Sequence, residues 1–279
     1  MKPITDCSVE QVSPDPPPWD RRAILRQRWS ELAYFHWPYE STAVQRLLPA
    51  GVRVDTFDGA AWVGLIPFEM RDVQFGRMPP MRQLGRFVEV NVRTYVTDAF
   101  GRRAVWFFSL DVPRSAAVAV ARSVFGLPYC WAHAEHSVDG YRHHYQTRRR
   151  WPTSGPANAD IRFRVAGRLA DSETGALENF LYARWALVAQ RRQQLSYGRV
   201  DHPRWPLHRV DGVEIDQTLI EAAGLPTPDG APHAHYSPGV DVRIAWYEKI
   251  ATVGRLQGTA HQQGLSRLSD APLSSRGSQ

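Results

Sequence analysis

Residues 87 to 96, FVEVNVRTYV, alternate with a period of two. The even positions hold Val88, Val90, Val92, Thr94 and Val96; the odd ones hold Phe87, Glu89, Asn91, Arg93 and Tyr95. A helix would scatter both sets around its axis, so the segment reads as a strand. The stretch from Asp98 to Arg102 is a turn signal leading to a second strand, RAVWFFSLD at 103–111. With Thr97 opposite Arg103 in a regular hairpin, Arg93 falls opposite Phe107, Asn91 opposite Ser109 and Glu89 opposite Asp111. Every polar group then shares one face with Phe87, Tyr95, Val105 and Phe107.

So much aromatic surface on a wet sheet face is unusual. The pattern therefore predicts a sheet covered on both sides, with Glu89, Asn91, Arg93, Ser109 and Asp111 lining an internal cavity or cleft. Buried charges need partners, and an arginine between two acids supplies them. In this reading Glu89 and Asp111 are the candidate proton-transfer groups, and Asn91, Arg93 and Ser109 the candidate ligand contacts. The competing reading is an ion-pair network that sets strand register without chemistry. A one-residue bulge would turn one strand over and scatter the cluster.

The rest of the chain carries similar strand and turn signals. RWSELAYFHW predicts a first strand, followed by a short helix near ESTAVQRLL. VRVDTF and AAWVGLIPF flank an Asp58-Gly59 hairpin turn, and YCWAHAEHSV and YRHHYQTR flank Asp139-Gly140. IRFRVAGRL and VDVRIAWYE are further strands. SAAVAVARSVFG predicts an apolar helix, and GALENFLYARWALVAQ an amphipathic one with Leu177, Leu181, Trp185 and Val188 on its buried stripe. Many antiparallel strands with two or three helices give an α+β fold, with a closed or strongly curved sheet. Residues 1–20, rich in proline, and 253–279, poor in core-forming residues, are expected to be disordered around one domain spanning 21–252.

Charge and cysteine content narrow the function. The net charge of +6 suggests nucleic acid, yet Lys2 and Lys249 are the only lysines among the 34 basic residues, and no binding motif accompanies the Arg148–Arg150 run. No nucleic-acid partner is expected. No apolar run approaches the roughly 20 residues that span a bilayer, and no signal peptide is evident at the start of the sequence. Cys7 and Cys130 are too few for a disulfide framework or a structural zinc site. A cytoplasmic setting with no membrane partner is the expectation.

Several blocks together resemble a known family: FVEVNVRTYV, VWFFSLD, FGLPY, LLPAGVRVDTFDGAAWVGLIPF, LENFLYARWAL and WPL at 205–207. They are similar, in order and over about residues 22–250, to the bacterial YqjF-like family of unknown function. That resemblance implies an acetoacetate decarboxylase-like fold, a mostly antiparallel cone-like β-barrel with flanking helices and an internal cavity. It also makes Arg184 a candidate pocket arginine, although Ala183 stands where the family often has an acidic residue. Acetoacetate decarboxylases work through a Schiff-base lysine, which needs a nucleophilic amine on a core strand. Lys2 lies in the proline-rich head and Lys249 at the end of the last strand, and arginine is not nucleophilic. The resemblance implies the fold without that mechanism.

The histidines suggest no metal site. His143 and His144 are successive on a strand and point to opposite faces. His233 and His235 could place two imidazoles on one side, but GAPHAHYSPG reads as a loop; His36 and His202 read as packing or hydrogen-bonding residues, with His36 able to reach a barrel mouth. Nucleotide-binding and serine-hydrolase motifs are missing. Neither a metal nor a cofactor is expected. Two functions stay open: acid/base chemistry on a small carboxylated or carbonyl compound, and non-catalytic binding or sensing of such a ligand. The oligomeric state is not legible.

Overall fold

The computed structural model describes residues 8–79, 86–114, 118, 122 and 125–250. In chain order the elements are β1 (Ala23–Tyr39), α1 (Ser41–Gln45), β2 (Val52–Val54), β3 (Thr56–Phe57), β4 (Ala60–Phe75), β5 (Phe87–Asp98) and β6 (Arg103–Val112). Then come β7 (Tyr129–Asp139), β8 (Arg142–Trp151), β9 (Asn158–Arg168), α2 (Ala176–Tyr182), β10 (Ala186–Arg191) and β11 (Gln194–Asp201). The chain finishes with β12 (His208–Gln217), α3 (Leu219–Ala222), β13 (His233–Ala245) and β14 (Glu248–Lys249). Among the described residues no helix is long and apolar enough to cross a membrane.

The strands form one sheet in the order β14-β11-β10-β6-β7-β8-β9-β12-β13-β1-β4-β5-β2, with β3 on β4. Its pairings are antiparallel except β6 with β7 and β6 with β10. A further ladder joins β5 to β6, so the path from β6 through β7, β13 and β4 to β5 comes back to its start. The Asp58-Gly59 turn forms as expected: both residues take positive φ (51° and 80°), the conformation a tight two-residue hairpin demands.

Alternation along the strands divides most of their side chains between two large buried clusters, with a smaller third one around Val96, Ala104 and Val188. Tyr34, Ile66, Tyr95, Phe180, Tyr182, Leu187 and Val240 belong to one. Phe35, Leu65, Val90, Val92, Phe163, Leu219 and Ile220 belong to the other. The neighbours Tyr34 and Phe35, or Leu65 and Ile66, thus enter different cores, and each fully buried aliphatic or aromatic side chain stabilises the fold by about 1.5–3 kcal/mol. Around β5 both faces of the sheet are buried, as the valine and aromatic pattern predicted, while β7, β8 and β9 keep exposed residues on one face.

Two expectations are corrected. The amphipathic helix over 175–190 ends at Tyr182, and residues 186–191 form β10 instead. That strand pairs with β6 (Leu187 with Val105, Val188 with Trp106) and with β11. The apolar run fits either state, and strand formation satisfies the edge of β6, whose backbone groups would otherwise need another partner. In addition, residues 8–20, expected to be disordered, are irregular but lie on the body. Glu10 donates its N–H to the Gly101 carbonyl (2.9 Å), the Ser13 carbonyl accepts from the Trp185 indole (3.0 Å), and Asp15 pairs with Arg204 (2.6 Å). The expected helix at 115–126 falls almost wholly outside the described residues, and the expected disordered tail at 253–279 entirely so.

Candidate functional site

β5 and β6 keep the predicted register from Thr97–Arg103 to Arg93–Phe107 and then slip by one residue. Beyond the slip Val92 pairs with Ser109, Asn91 with Leu110 and Val90 with Asp111. Phe108 is the additional residue of this bulge; it packs into the Val90–Val92 cluster, while Phe107 packs beside Tyr95. The expectation that Ser109 and Asp111 share a face with Glu89 is therefore corrected. The slip keeps Asp111 off the Glu89 face, where two carboxylates would compete for one proton away from water. Asp111 instead receives a bidentate grip from Arg149 of β8 (Nη2 to Oδ1, 2.7 Å; Nε to Oδ2, 3.0 Å). Burial pushes its carboxyl pKa up against the pull of that guanidinium.

What stays on the first face is Glu89, Asn91, Arg93 and Tyr95, all buried. Glu89 is 2% exposed, and the Tyr129 hydroxyl donates to its Oε2 at 3.1 Å. Burial raises its pKa to about 8, over the opposing hydrogen bonds from Tyr129 and Asn91. At pH 7 Glu89 is thus a protonated acid that can donate a proton or a hydrogen bond.

Arg93 does not sit between two acids. Among the described residues no carboxylate lies within 4.0 Å of it; the acids expected beside it are occupied by Tyr129 and Arg149. Its Nη2 donates to the Tyr95 hydroxyl at 3.4 Å, its guanidinium lies 5.7 Å from the centres of the Tyr34 and Tyr95 rings, and its Nε has no partner. It is 9% exposed. Beside the two aromatic rings, this buried guanidinium has no carboxylate counter-ion among the described residues, so the neighbouring groups leave its charge unneutralised. Arg184 is placed in the same cluster, over the Tyr95 and Phe180 rings at 4.6 and 4.3 Å. Its charge is already matched: Nη1 donates to Asp55 at 2.7 Å and Nε to the Phe180 carbonyl at 2.7 Å. Burial holds its pKa below the ordinary value despite Asp55.

His36, read from the sequence as a packing or hydrogen-bonding residue, completes this face together with Tyr34 and Tyr182. His36 Nε2 lies 2.6 Å from the Tyr95 hydroxyl. Burial, with the Arg93 charge behind it, keeps the His36 pKa well below its usual value, so the ring is neutral. Gly64 makes room for it, because a Cβ there would lie 2.7 Å from His36 Nε2. Tyr182 of α2 sits 4.7 Å from the Tyr34 ring, and its hydroxyl is 2.9 Å from His235 Nδ1. His233 and His235 lie on β13, not in the loop expected for them. The register sets Arg93, Gly64, His36 and His233 in one row across β5, β4, β1 and β13. The spacing of Tyr34 and His36 on a single strand was the available signal, since residues two apart share a face.

Comparison with known proteins places this arrangement. The chain is 30% identical over 219 residues to the uncharacterized protein YqjF of Bacillus subtilis (strain 168), covering 78% of this chain and 89% of that one. Solved structures share its fold at low identity. The acetoacetate decarboxylase of Legionella pneumophila superposes with a TM-score of 0.57 at 15% identity, covering 84% of this chain and 91% of that one. The enduracididine biosynthesis enzyme MppR complexed with pyruvate gives 0.53 at 11% identity, covering 85% and 91%. The family model described as an uncharacterized conserved protein, DUF2071, matches residues 26–241, from the first strand to the last long one. A match running through the whole sheet, with the curated relative at its side, makes the chain a member of that family on an acetoacetate decarboxylase-like fold.

Proposed function

We propose that this chain is a cytoplasmic protein that takes a small carboxylate or carbonyl compound onto the Arg93 face and acts on it by proton transfer. In this reading the ring of pairings from β6 round to β5 closes as a cone-like barrel, and the Arg93 face looks into it. The observation that carries the reading is the buried guanidinium of Arg93 with no carboxylate partner among the described residues. Burying such a charge costs several kcal/mol unless an anion meets it, and a ligand carboxylate supplies one with two parallel hydrogen bonds. Tyr95, His36 and Asn91 line the same face and offer neutral donors and acceptors. Glu89, four residues away on β5 with its Cα about 13 Å along the strand, is the proton donor for a ligand long enough to reach past Asn91, which stands between them to orient it. Asp111 and Ser109, on the opposite face, support the strand pair, and Arg184 with Asp55 braces Tyr95.

A Schiff base does not enter. Of the two lysines, Lys249 is exposed on the two-residue strand β14 and Lys2 lies in the N-terminal head. The pyruvate named with the MppR structure belongs to that protein, but it is the class of ligand that the Arg93 face would accept. One observation favours a second reading, non-catalytic binding or sensing. With Asp111 committed to Arg149, the face keeps a single carboxyl for proton transfer.

A thermal-shift series with pyruvate and other small keto acids tests the proposal. A ligand at one hundred times its Kd adds about 2.7 kcal/mol of stability, so the wild type should show a clear rise in Tm. Arg93→Met should lose that rise, and Arg93→Lys should keep part of it. Glu89→Gln that still binds but loses the turnover of the wild type selects the enzyme; binding with no turnover in the wild type selects sensing, and turnover that Glu89→Gln leaves unchanged removes Glu89 as the proton donor. A folded protein that no small carboxylate stabilises, or a rise that survives Arg93→Met, overturns the anion site.

A further inference from the structure

At the far end of the row that starts at Arg93, three ligand-type side chains converge. Glu178 comes from α2, and His233 and His235 from β13; their ligand atoms lie within 4.8 Å of one another. We propose that Glu178, His233 and His235 bind a divalent cation of the zinc class, a function distinct from the anion site and independent of it.

The distances suit such an ion. Glu178 Oε1 lies 3.2 Å from His233 Nε2. Two ligands at about 2.0–2.1 Å from one tetrahedral cation stand about 3.3 Å apart. His233 Nε2 is buried yet has no hydrogen-bond partner, so its closeness to the carboxylate lacks hydrogen-bond alignment. An ion between the two would satisfy both atoms. The other carboxylate oxygen of Glu178 is already engaged, accepting the Gly175 N–H at 2.9 Å, which holds Oε1 towards the histidines.

The surroundings resemble the outer shell of a metal centre. A ligating imidazole usually has its second nitrogen fixed by a hydrogen bond. His235 Nδ1 is so fixed, 2.9 Å from the Tyr182 hydroxyl. Trp62 stands edge-on against His233 with ring centres 6.2 Å apart, limiting its rotation. Glu178 and Tyr182 also line a surface cleft of about 120 Å³, which the two histidines do not reach; the His233 side chain is itself 26% exposed. Two imidazoles and one carboxylate leave at least one coordination position open to water or to a ligand. The other close histidine group, His136 and His143 with Glu69, is different. There His136 Nδ1 meets Glu69 at 2.9 Å and its Nε2 meets His143 at 3.1 Å, so its nitrogens are already satisfied by each other and the acid.

Titration of the untagged full-length chain with Co²⁺, followed by its visible absorption and by Zn²⁺ competition, tests the site. The expected result is one Co²⁺ per chain, displaced by Zn²⁺. His233→Ala and Glu178→Gln should abolish the stoichiometric step, and Tyr182→Phe should weaken affinity 10–100-fold. His143→Ala should bind as the wild type does. Far-UV circular dichroism confirms that each variant is folded. A folded wild type that takes up no Co²⁺, binding that survives both His233→Ala and Glu178→Gln, or binding lost in His143→Ala would each overturn the proposal. Since keto-acid stabilisation through Arg93 is measured separately in metal-free protein, either site can fail without the other.

Discussion

Glu89→Gln offers a direct measure of what the interior does to a carboxyl group. Burial holds the Glu89 pKa at about 8, against 4.5 for the free side chain. A folded-state value above the unfolded one means that the folded chain keeps a proton the unfolded chain releases. The contribution of Glu89 to stability is therefore intact below pH 4.5, declines as pH rises, and is fully lost above pH 8. Each pH interval of one in that window is worth about 1.4 kcal/mol. At pH 7 the penalty is about 3 kcal/mol, and above pH 8 about 5 kcal/mol. Glutamine has nearly the same shape and no proton to lose, and its amide oxygen can still accept from the Tyr129 hydroxyl. Whatever constant difference the amide introduces, the pH-dependent part belongs to Glu89. Urea unfolding of both proteins between pH 5 and pH 8 should show the variant gaining about 4 kcal/mol on the wild type across that range. A difference that stays flat with pH would mean that Glu89 is ionised or solvated, and the protonated donor in the proposed chemistry would go with it.

Two further outcomes probe the supports of the site. Gly64→Ala drives a methyl group to 2.7 Å from His36 Nε2, displacing the ring from Tyr95; Tm should fall by an amount matching 1–3 kcal/mol of overpacking, with keto-acid stabilisation weakened. Arg149→Met leaves the buried Asp111 without its bidentate partner and should cost about 3–5 kcal/mol at neutral pH. Combined with Asp111→Asn, most of that loss should be recovered in a double-mutant cycle of chemical unfolding; no recovery would show that the pair is not coupled.

Local pattern was enough to give the strands at 87–96 and 103–111, which the structure extends to 98 and 112, the Asp58-Gly59 turn and the burial of both faces around β5, because period-two alternation and turn chemistry act over a few neighbouring residues. The lack of a core lysine was equally plain from the sequence, since it is a matter of composition. Tertiary structure decided the rest. The bulge at Phe108 sent Asp111 to Arg149, and among the described residues no carboxylate is left to pair with Arg93, an outcome set by partners on β8 that no local window contains. Residues 186–191 became a strand because β6 had an edge to fill, although the same letters suit a helix. His233 and Glu178, 55 positions apart, meet because β13 runs past the end of α2. Alternation tells which side chains share a face; which distant groups they meet there depends on how the sheet is threaded and where its register slips.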